Sequence, residues 1–449
     1  MASKKDLLEA QNFSKARLLS AFVGGAPGGK ELEPAKPLRA VFAGIALTAM
    51  VVLAGVFIGL IQPKLPGGWE NNRLIVASDT GARYISVDGT LHPVINTVSA
   101  RMAIPAGEFK VVTVKQGALE GIPIGGTLGI LGAPDTLPEA EHLDGSGWAA
   151  CATPDSTRVQ LGGDRPDAAP TDSGIVVTSE GGTYVVSGGT SYAVAESDRT
   201  AVLRAIGLDG AAPAEVGSEW LALFTQGADL RPIGAVDGGT VRGVDLPAGS
   251  VIRPTGGGDD ERYLLTGDGS LARLSDLAYR LYLLGGGSGA LGDEVEVSPA
   301  QIAALATADP AGPADWPQRP LTSAASAAGP CATLTGAPSD QQTVLAAPGS
   351  AVTSAPDETT ESDAAGSGTV RVSVAADGGA LVRGGSAGPL TLIDASGTAY
   401  AVPGDVATGV TRLGYADTDV AVVPATWVQL LAAGPALTAE AASASPEAS

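Results

Sequence analysis

Residues 40–61, AVFAGIALTAMVVLAGVFIGLI, run for 22 positions without a charged side chain. As a helix rising about 1.5 Å per residue, the run covers about 33 Å, the depth of a bilayer's hydrocarbon core. A cleaved export signal is the competing reading, but such signals are shorter and stand at the start of a chain. This run begins only at residue 40, and Gln62, Pro63 and Lys64 end it. The sequence therefore predicts a retained single-pass transmembrane helix.

The flanks orient it. Lys4, Lys5, Lys15, Arg17, Lys30, Lys36 and Arg39 precede the run against Asp6, Glu9, Glu31 and Glu33, a balance of +3, so the total of -21 leaves -24 for the remainder. Basic residues stay on the cytoplasmic side, which puts the N-terminus inside and the bulk of the chain outside. An outside domain lies where disulfides persist, so Cys151 and Cys331 are expected to pair; two separate free thiols are the alternative. The acidic balance argues against a nucleic-acid reader, which needs clustered Lys and Arg. His92 and His142 are the only histidines, too few for a His-rich metal centre.

Within the span, Gly55 and Gly59 form a GxxxG pair that lets two helices approach closely in lipid. Chance pairing in an Ala- and Gly-rich run explains it equally well. Before the span, residues 6–23 predict a helix with a loose stripe of Leu7, Ala10, Leu18 and Ala21, read as a docking or interfacial helix.

Outside, self-comparison gives four similar segments. LIVASDTGARYISVDG (74–89), IVVTSEGGTYVVSGG (175–189), RYLLTGDGSLARLSD (262–276) and LTLIDASGTAYAVPG (390–404) each join two apolar runs across a Gly-bearing turn, the pattern of a β-hairpin. Tyr84, Tyr184 and Tyr400 follow Gly81, Gly181 and Gly397; Leu271 takes that place in the remaining copy. A second half, strand then short helix, recurs at 214–230, 295–310 and 420–435, with Pro299 and Pro424 near the first turn of their helices. Trp220, Ile302 and Trp427 share one apolar position. Residues 148–172, 316–333 and 368–382 are read as strands of a separate central domain, with Trp148 and Trp316 beside the cysteines. Residues 334–367 and the tail from Ala436 are rich in small and polar residues and are expected to be mobile.

The chemical search finds little. GGAPGGKE (24–31) places Gly24, Gly29 and Lys30 as a phosphate loop would. Glu31, however, stands where a Ser or Thr must ligate magnesium. The glycine-rich runs 238–245 and 285–292 lack the strand-to-helix setting of a nucleotide fold. His92 precedes Pro93 in an extended stretch, and neither histidine adjoins a GxSxG elbow. An acidic pair in a cleft could act as in a glycosidase, but acidic surface is the simpler account. No catalytic, cofactor-binding or metal residue is assigned.

Taken together, QNFSKARLLSAFVGG (11–25), QPKLPGGW (62–69), LIVASDTGARYISVDGTLHPVINTVSARM (74–102), GILGAPDTLP (129–138), GWAAC (147–151) and PCAT (330–333) resemble the EccB family. That family is the single-pass membrane component of type VII (ESX) secretion systems. The resemblance implies a single-pass membrane protein with an α+β extracytoplasmic region, four small hairpin/helix repeats around a central β-rich domain bearing the Cys151–Cys331 disulfide. It implies a structural role in the inner-membrane complex, bracing the channel from the periplasmic side beside the EccC motor ATPase, EccD and EccE, with self-association outside. Nucleotide hydrolysis (some members are described as ATPases) and anchoring to peptidoglycan are the alternatives. The expected divisions are a cytosolic segment 1–39, the span 40–61, repeat one 62–140, central domain 141–173, repeat two 174–236, repeat three 237–315, central domain 316–385, repeat four 386–435 and tail 436–449.

Overall fold

A type I′ turn needs two successive residues with positive φ, and Asp88–Gly89 (φ 46° and 74°) and Glu180–Gly181 (50° and 81°) supply them. Each closes a two-residue hairpin, Val87 opposite Thr90 and Ser179 opposite Gly182. These turns lie in the first and second of four similar sheets of the computed structural model, which describes residues 4–24, 37–60, 65–163, 166–258, 260–287, 294–327, 329–349, 369–375 and 377–446. The chain divides into two units, 1–64 and 65–449.

In the first unit, one helix runs Lys4–Gly24 and a second Pro37–Leu60. Leu8 and Phe13 are exposed off the expected stripe, so apolar groups go round the first helix rather than along one face. Side chains of the second helix are described only as far as Ala54. Among the described residues, no helix is long and apolar enough to cross a membrane. The side chains around Gly55 and Gly59 lie outside the described residues, as do positions 25–31 of the phosphate-loop candidate.

In the second unit, four sheets share one connectivity: a three-stranded antiparallel meander, a helix, then a strand parallel to the first. The meanders are Arg73–Ala77, Arg83–Val87 and Thr90–Pro93; Ser173–Ser179, Gly182–Ser187 and Thr190–Val194; Val251–Pro254, Arg262–Leu265 and Leu271–Leu274; and Ala380–Gly384, Leu390–Ile393 and Ala399–Val402. Their helices are Thr97–Ala103, Arg199–Ala205, Asp276–Tyr282 and Val406–Leu413. Asn96, Ser275 and Asp405 cap three of them by accepting the amides of Ser99, Ala278 and Thr408. The added parallel strands are Val111–Val114, Ala214–Glu215, Val295–Val297 and Ala421–Val423. A fifth sheet, in the order Asp340–Leu345, Cys331–Ala337, Ala149–Thr153, Ser156–Leu161, Thr369–Val374, is the central one.

Four sequence expectations need correction. The segments 74–89 and 175–189 are strands one and two of their meanders, whereas 262–276 and 390–404 hold strands two and three. A meander contains two successive hairpins of the same period, each with a Gly-bearing turn, so either fits the repeated pattern, and Tyr400, on strand three, does not stand where Tyr84 and Tyr184 stand on strand two. Residues 334–345 are not mobile: Leu334, Gln341, Thr343 and Leu345 are buried in the central hairpin. Positions 350–367 lie outside the described residues. Trp316 is not in the central sheet; it packs with Val176, Tyr192 and Leu277 between the second and third sheets, and Thr322–Ser323 pair with the second. The tail is ordered through residue 446. Leu437 and Ala442 are buried against Val98, Met102 and Val410, and Gly129 donates its amide to the Ala444 carbonyl at 3.1 Å.

That tail closes the joint between the first and fourth sheets, whose helices share one apolar cluster. Deleting residues 436–449 exposes Val98 and Met102 and should lower stability by about 3 kcal/mol or more, since burying each large apolar side chain contributes roughly 1.5–3 kcal/mol. Urea unfolding of the full chain in detergent measures it, and an unchanged midpoint would show that the tail contributes nothing.

Candidate functional site

The central sheet is where distant parts of the chain meet. Cys151 and Cys331 are register partners on adjacent antiparallel strands. They are bonded, with Cα atoms 4.0 Å apart and a sequence separation of 180. The chain therefore leaves the sheet, builds the second and third meanders, and returns to the strand it is stapled to. Both cysteines are buried beside Ala346.

Three tryptophans surround this sheet, all fully buried. Trp148 donates Nε1–H to the Asp144 carbonyl at 2.8 Å and meets Trp427 edge-on, centroids 6.3 Å apart. Trp220, on the short helix Ser218–Leu221, donates to the carbonyl of Ala150 at 2.9 Å. Trp427, on Ala425–Gln429, donates to Oγ1 of Thr343 at 2.8 Å. An indole buried with its N–H satisfied contributes both area and orientation. The second and fourth sheets are thus fixed to the central one through the same short-helix position, Trp220 on strand Ala149–Thr153 and Trp427 on strand Asp340–Leu345.

Ile302, at the same position in the third sheet, is only half-buried; there the hairpin Thr240–Val241/Leu246–Pro247 brings Val241 and Leu246 over the sheet instead. In the first sheet, Leu65 and Trp69 cover the equivalent face beside Tyr84 and Leu91. The sequence showed the tryptophans and their shared position, but nothing in it marked the two unlike covers.

The histidines are separate. His92 is half-buried, its Nδ1 3.0 Å from the Gly126 carbonyl, and the ring lies where a side chain at Gly125 would stand. His142 closes the turn Ala140–His142. It borders a cleft of about 450 Å³ with Asp135, Glu139, Asp377 and Asp394. Two of those carboxylates have structural partners: Asp135 pairs with Arg83, and Asp394 accepts from the Ser396 and Thr398 amides and the Tyr400 hydroxyl. Nearby, burial raises the Asp144 carboxyl, with His142 opposing the shift. Among the described residues, no group of three or more His, Cys, Asp or Glu could hold a metal ion. The run 238–245 is the hairpin just described, and 288–292 of the other glycine-rich run lie outside the described residues.

Compared with known proteins, residues 1–448 match the family described as "Type VII secretion system ESX-1, transport TM domain B". The chain belongs to the EccB family. It is 30% identical over 249 residues to the ESX-2 secretion system ATPase EccB2 of Mycobacterium tuberculosis H37Rv, covering 51% of this chain and 49% of that protein. It is 34% identical over 189 residues to the ESX-3 secretion system ATPase EccB3 of Mycolicibacterium smegmatis, covering 39% and 35%. The matches span about half the length of these EccB relatives, or less. Two EccB-type folds agree at low identity. One is in an intact ESX-5 inner membrane complex, TM-score 0.66 and 20% identity, covering 100% of this chain and 96% of the other. The other is the EccB3 dimer from the ESX-3 core complex, TM-score 0.64 and 23% identity, covering 83% and 99%.

Closing a loop of this length constrains the unfolded chain by about 5 kcal/mol in the chain-entropy treatment. Cys151→Ser should lower stability by an amount of that order and speed proteolysis of residues 65–449; equal protease resistance with and without reductant would contradict the role given to the bond. Burial, reinforced by Asp394, holds Tyr400 up to about 12, and burial with Asp419 does the same for Tyr415, Arg101 opposing. Both protons are retained in the folded state above about pH 10, where an unfolded tyrosine loses its own, so stability falls as pH rises from about 10 through 12. Absorbance at 295 nm should show two tyrosines titrating near pH 12, and Tyr415→Phe should remove one.

Proposed function

We propose that this chain is a structural component of a type VII secretion inner-membrane complex. It spans the membrane once over residues 40–61 and braces the assembly from outside. The observation that carries the reading is the family match over residues 1–448. The 22 uncharged positions, the basic segment before them and the buried disulfide all support an N-terminus in the cytoplasm and an exterior in an oxidising compartment.

The four like-connected sheets are four copies of one unit, and the central sheet joins the second copy to the fourth. The helix Lys4–Gly24 with exposed Leu7, Leu18 and Phe22 is the contact for cytosolic partners. The motor ATPase EccC, EccD and EccE are the partners that the family resemblance supplies, and ATP hydrolysis belongs to the motor. Self-association is supported by the EccB3 dimer, and by Val87, Val111, Ile124 and Leu131, exposed large apolar side chains all carried by the first repeat. The Gly55/Gly59 face packs the span against a neighbouring helix.

Gentle detergent extraction of a C-terminally tagged chain from its host tests this. The expected result is a megadalton-scale species containing a multi-ATPase-domain motor and a multi-span membrane protein. A lone monomer, or nucleotide turnover or wall-polymer binding by that monomer, would overturn it. Gly55→Leu with Gly59→Leu should reduce the large species several-fold at equal expression; an unchanged yield would refute the helix-packing role.

A further inference from the structure

The strand added beside the first strand of each meander ends its sheet, and the four copies treat that edge differently. In the fourth sheet the outward amide of Val422 donates to the Pro338 carbonyl at 2.7 Å, so the central hairpin covers it. In the second the strand is only Ala214–Glu215, preceded by Pro213. In the first it is Val111–Val114, four residues, and among the described residues no strand pairs with its outer side.

The register tells which groups point out. Leu74 donates to the Lys110 carbonyl at 2.9 Å and Ser78 to that of Val114 at 2.8 Å. In a parallel ladder, Val112 and Val114 then serve the inner side, leaving the N–H and C=O of Val111 and Thr113 facing outward. An edge protected against pairing carries a charge or a proline inside the strand. Here the strand itself is Val-Val-Thr-Val, and the charges, exposed Lys110 and Lys115, stand just beyond its two ends. Two such edges meeting antiparallel would bring lysines together, which disfavours self-pairing. They favour a strand bearing carboxylates.

The third sheet ends in such a strand. Val295–Val297 carries Glu296 at its centre and follows Glu294, whose carboxylate Arg262 holds at 2.6 Å, so Glu296 is the more exposed charge of the edge. Thr255 donates to the Val297 carbonyl at 2.9 Å, so the backbone groups of Glu296 are the outward ones. Its carboxylate meets Arg253 at 3.0 Å yet keeps 55% of the side chain exposed. Core packing joins the sheets in the order first, fourth, central, second, third. The basic edge and the acidic edge are thus on the two terminal sheets of that series.

We propose that the Val111–Val114 edge of one copy accepts the Glu294–Val297 edge of a second copy as an added β-strand. The contact is head-to-tail, so it generates a ring or an open chain, unlike the self-complementary contact of a two-fold dimer. It deepens the self-association proposed above and rests on that reading.

Cross-linking of the full chain in detergent tests it. Copies with Val111→Cys and copies with Glu296→Cys, separately tagged, are mixed and treated with a short bis-maleimide; the Cys151–Cys331 bond keeps the native sulfurs out. The expected product is a covalent heterodimer at least tenfold more abundant in the mixture than any dimer from either variant alone. Thr113→Pro added to the Val111→Cys copy removes an outward N–H and no ladder bond, and should abolish the product at an unchanged thermal midpoint. Lys110→Glu with Lys115→Glu, at exposed positions outside the strand, should lower it at least fivefold. No heterodimer, dimers from Val111→Cys alone, or a yield indifferent to the lysine reversal would overturn the proposal. Recruitment into the megadalton complex is read separately by co-purification, so loss of the edge contact and loss of the scaffold reading are distinguishable.

Discussion

The fold of residues 65–449 depends on two indoles buried against one stapled sheet. Each meander is a sheet with two apolar faces, the helix that follows it covers one, and the other left in water would forfeit roughly 25 cal/mol per Å². Trp220 and Trp427 solve this for the second and fourth sheets by turning their open faces onto the central strands. The N–H of each indole is satisfied across the joint, on Ala150 and on Thr343. The apolar cluster formed there reaches from Ile175 and Val177 through Ala150 and Leu334 to Val382 and Val423. Neither meander has that surface to bury without the central sheet, and the central sheet has no cover without them.

The disulfide acts at the same place for a topological reason. The second and third meanders are inserted between strands of the central sheet, so the sheet must pair segments 180 residues apart. Such long-range pairing is entropically expensive to find and to keep. A covalent bond between register partners shortens the loop that the unfolded chain explores. The ends of the series use different means: Leu65 and Trp69 over the first sheet, the hairpin around Val241 over the third. Repeat arrays generally need unlike terminal copies, because their last units have no neighbour to pack on.

Much of this was legible in the sequence. The apolar run, its charged flanks, the cysteine pair and the short-helix tryptophans all carry their chemistry locally. The failures share a cause. Residues 334–345 read as mobile because the whole stretch 334–367 is rich in Ser, Thr, Ala and acidic residues, yet alternate side chains, Gln341 and Thr343 among them, face the interior. The alanine-rich tail read as disordered because alanine has no strong pattern; small size is what lets Ala442 lie against the helix Thr97–Ala103. Trp316 is near Cys331 in sequence but not in space, since it packs between the second and third sheets. Local composition reports how a segment meets water, not which distant face it will cover. The opposite charges of the edges at 110–115 and 294–297 were visible in the sequence, but only the register showed which backbone groups of those strands point outward.

Sharing one apolar cluster, the central sheet and its two tryptophan-bearing neighbours should unfold as one body. Native-state hydrogen exchange of the full chain in detergent, followed by mass spectrometry across increasing urea, addresses it directly. The account requires the amides of Ile175–Val177, Ala150–Ala152, Leu334 and Leu381–Val382 to converge on a single opening free energy, and Trp427→Ala to lower all of them together by about 3–5 kcal/mol. Exchange of the fourth sheet at its own lower free energy, with the second and central sheets unaffected by Trp427→Ala, would contradict it.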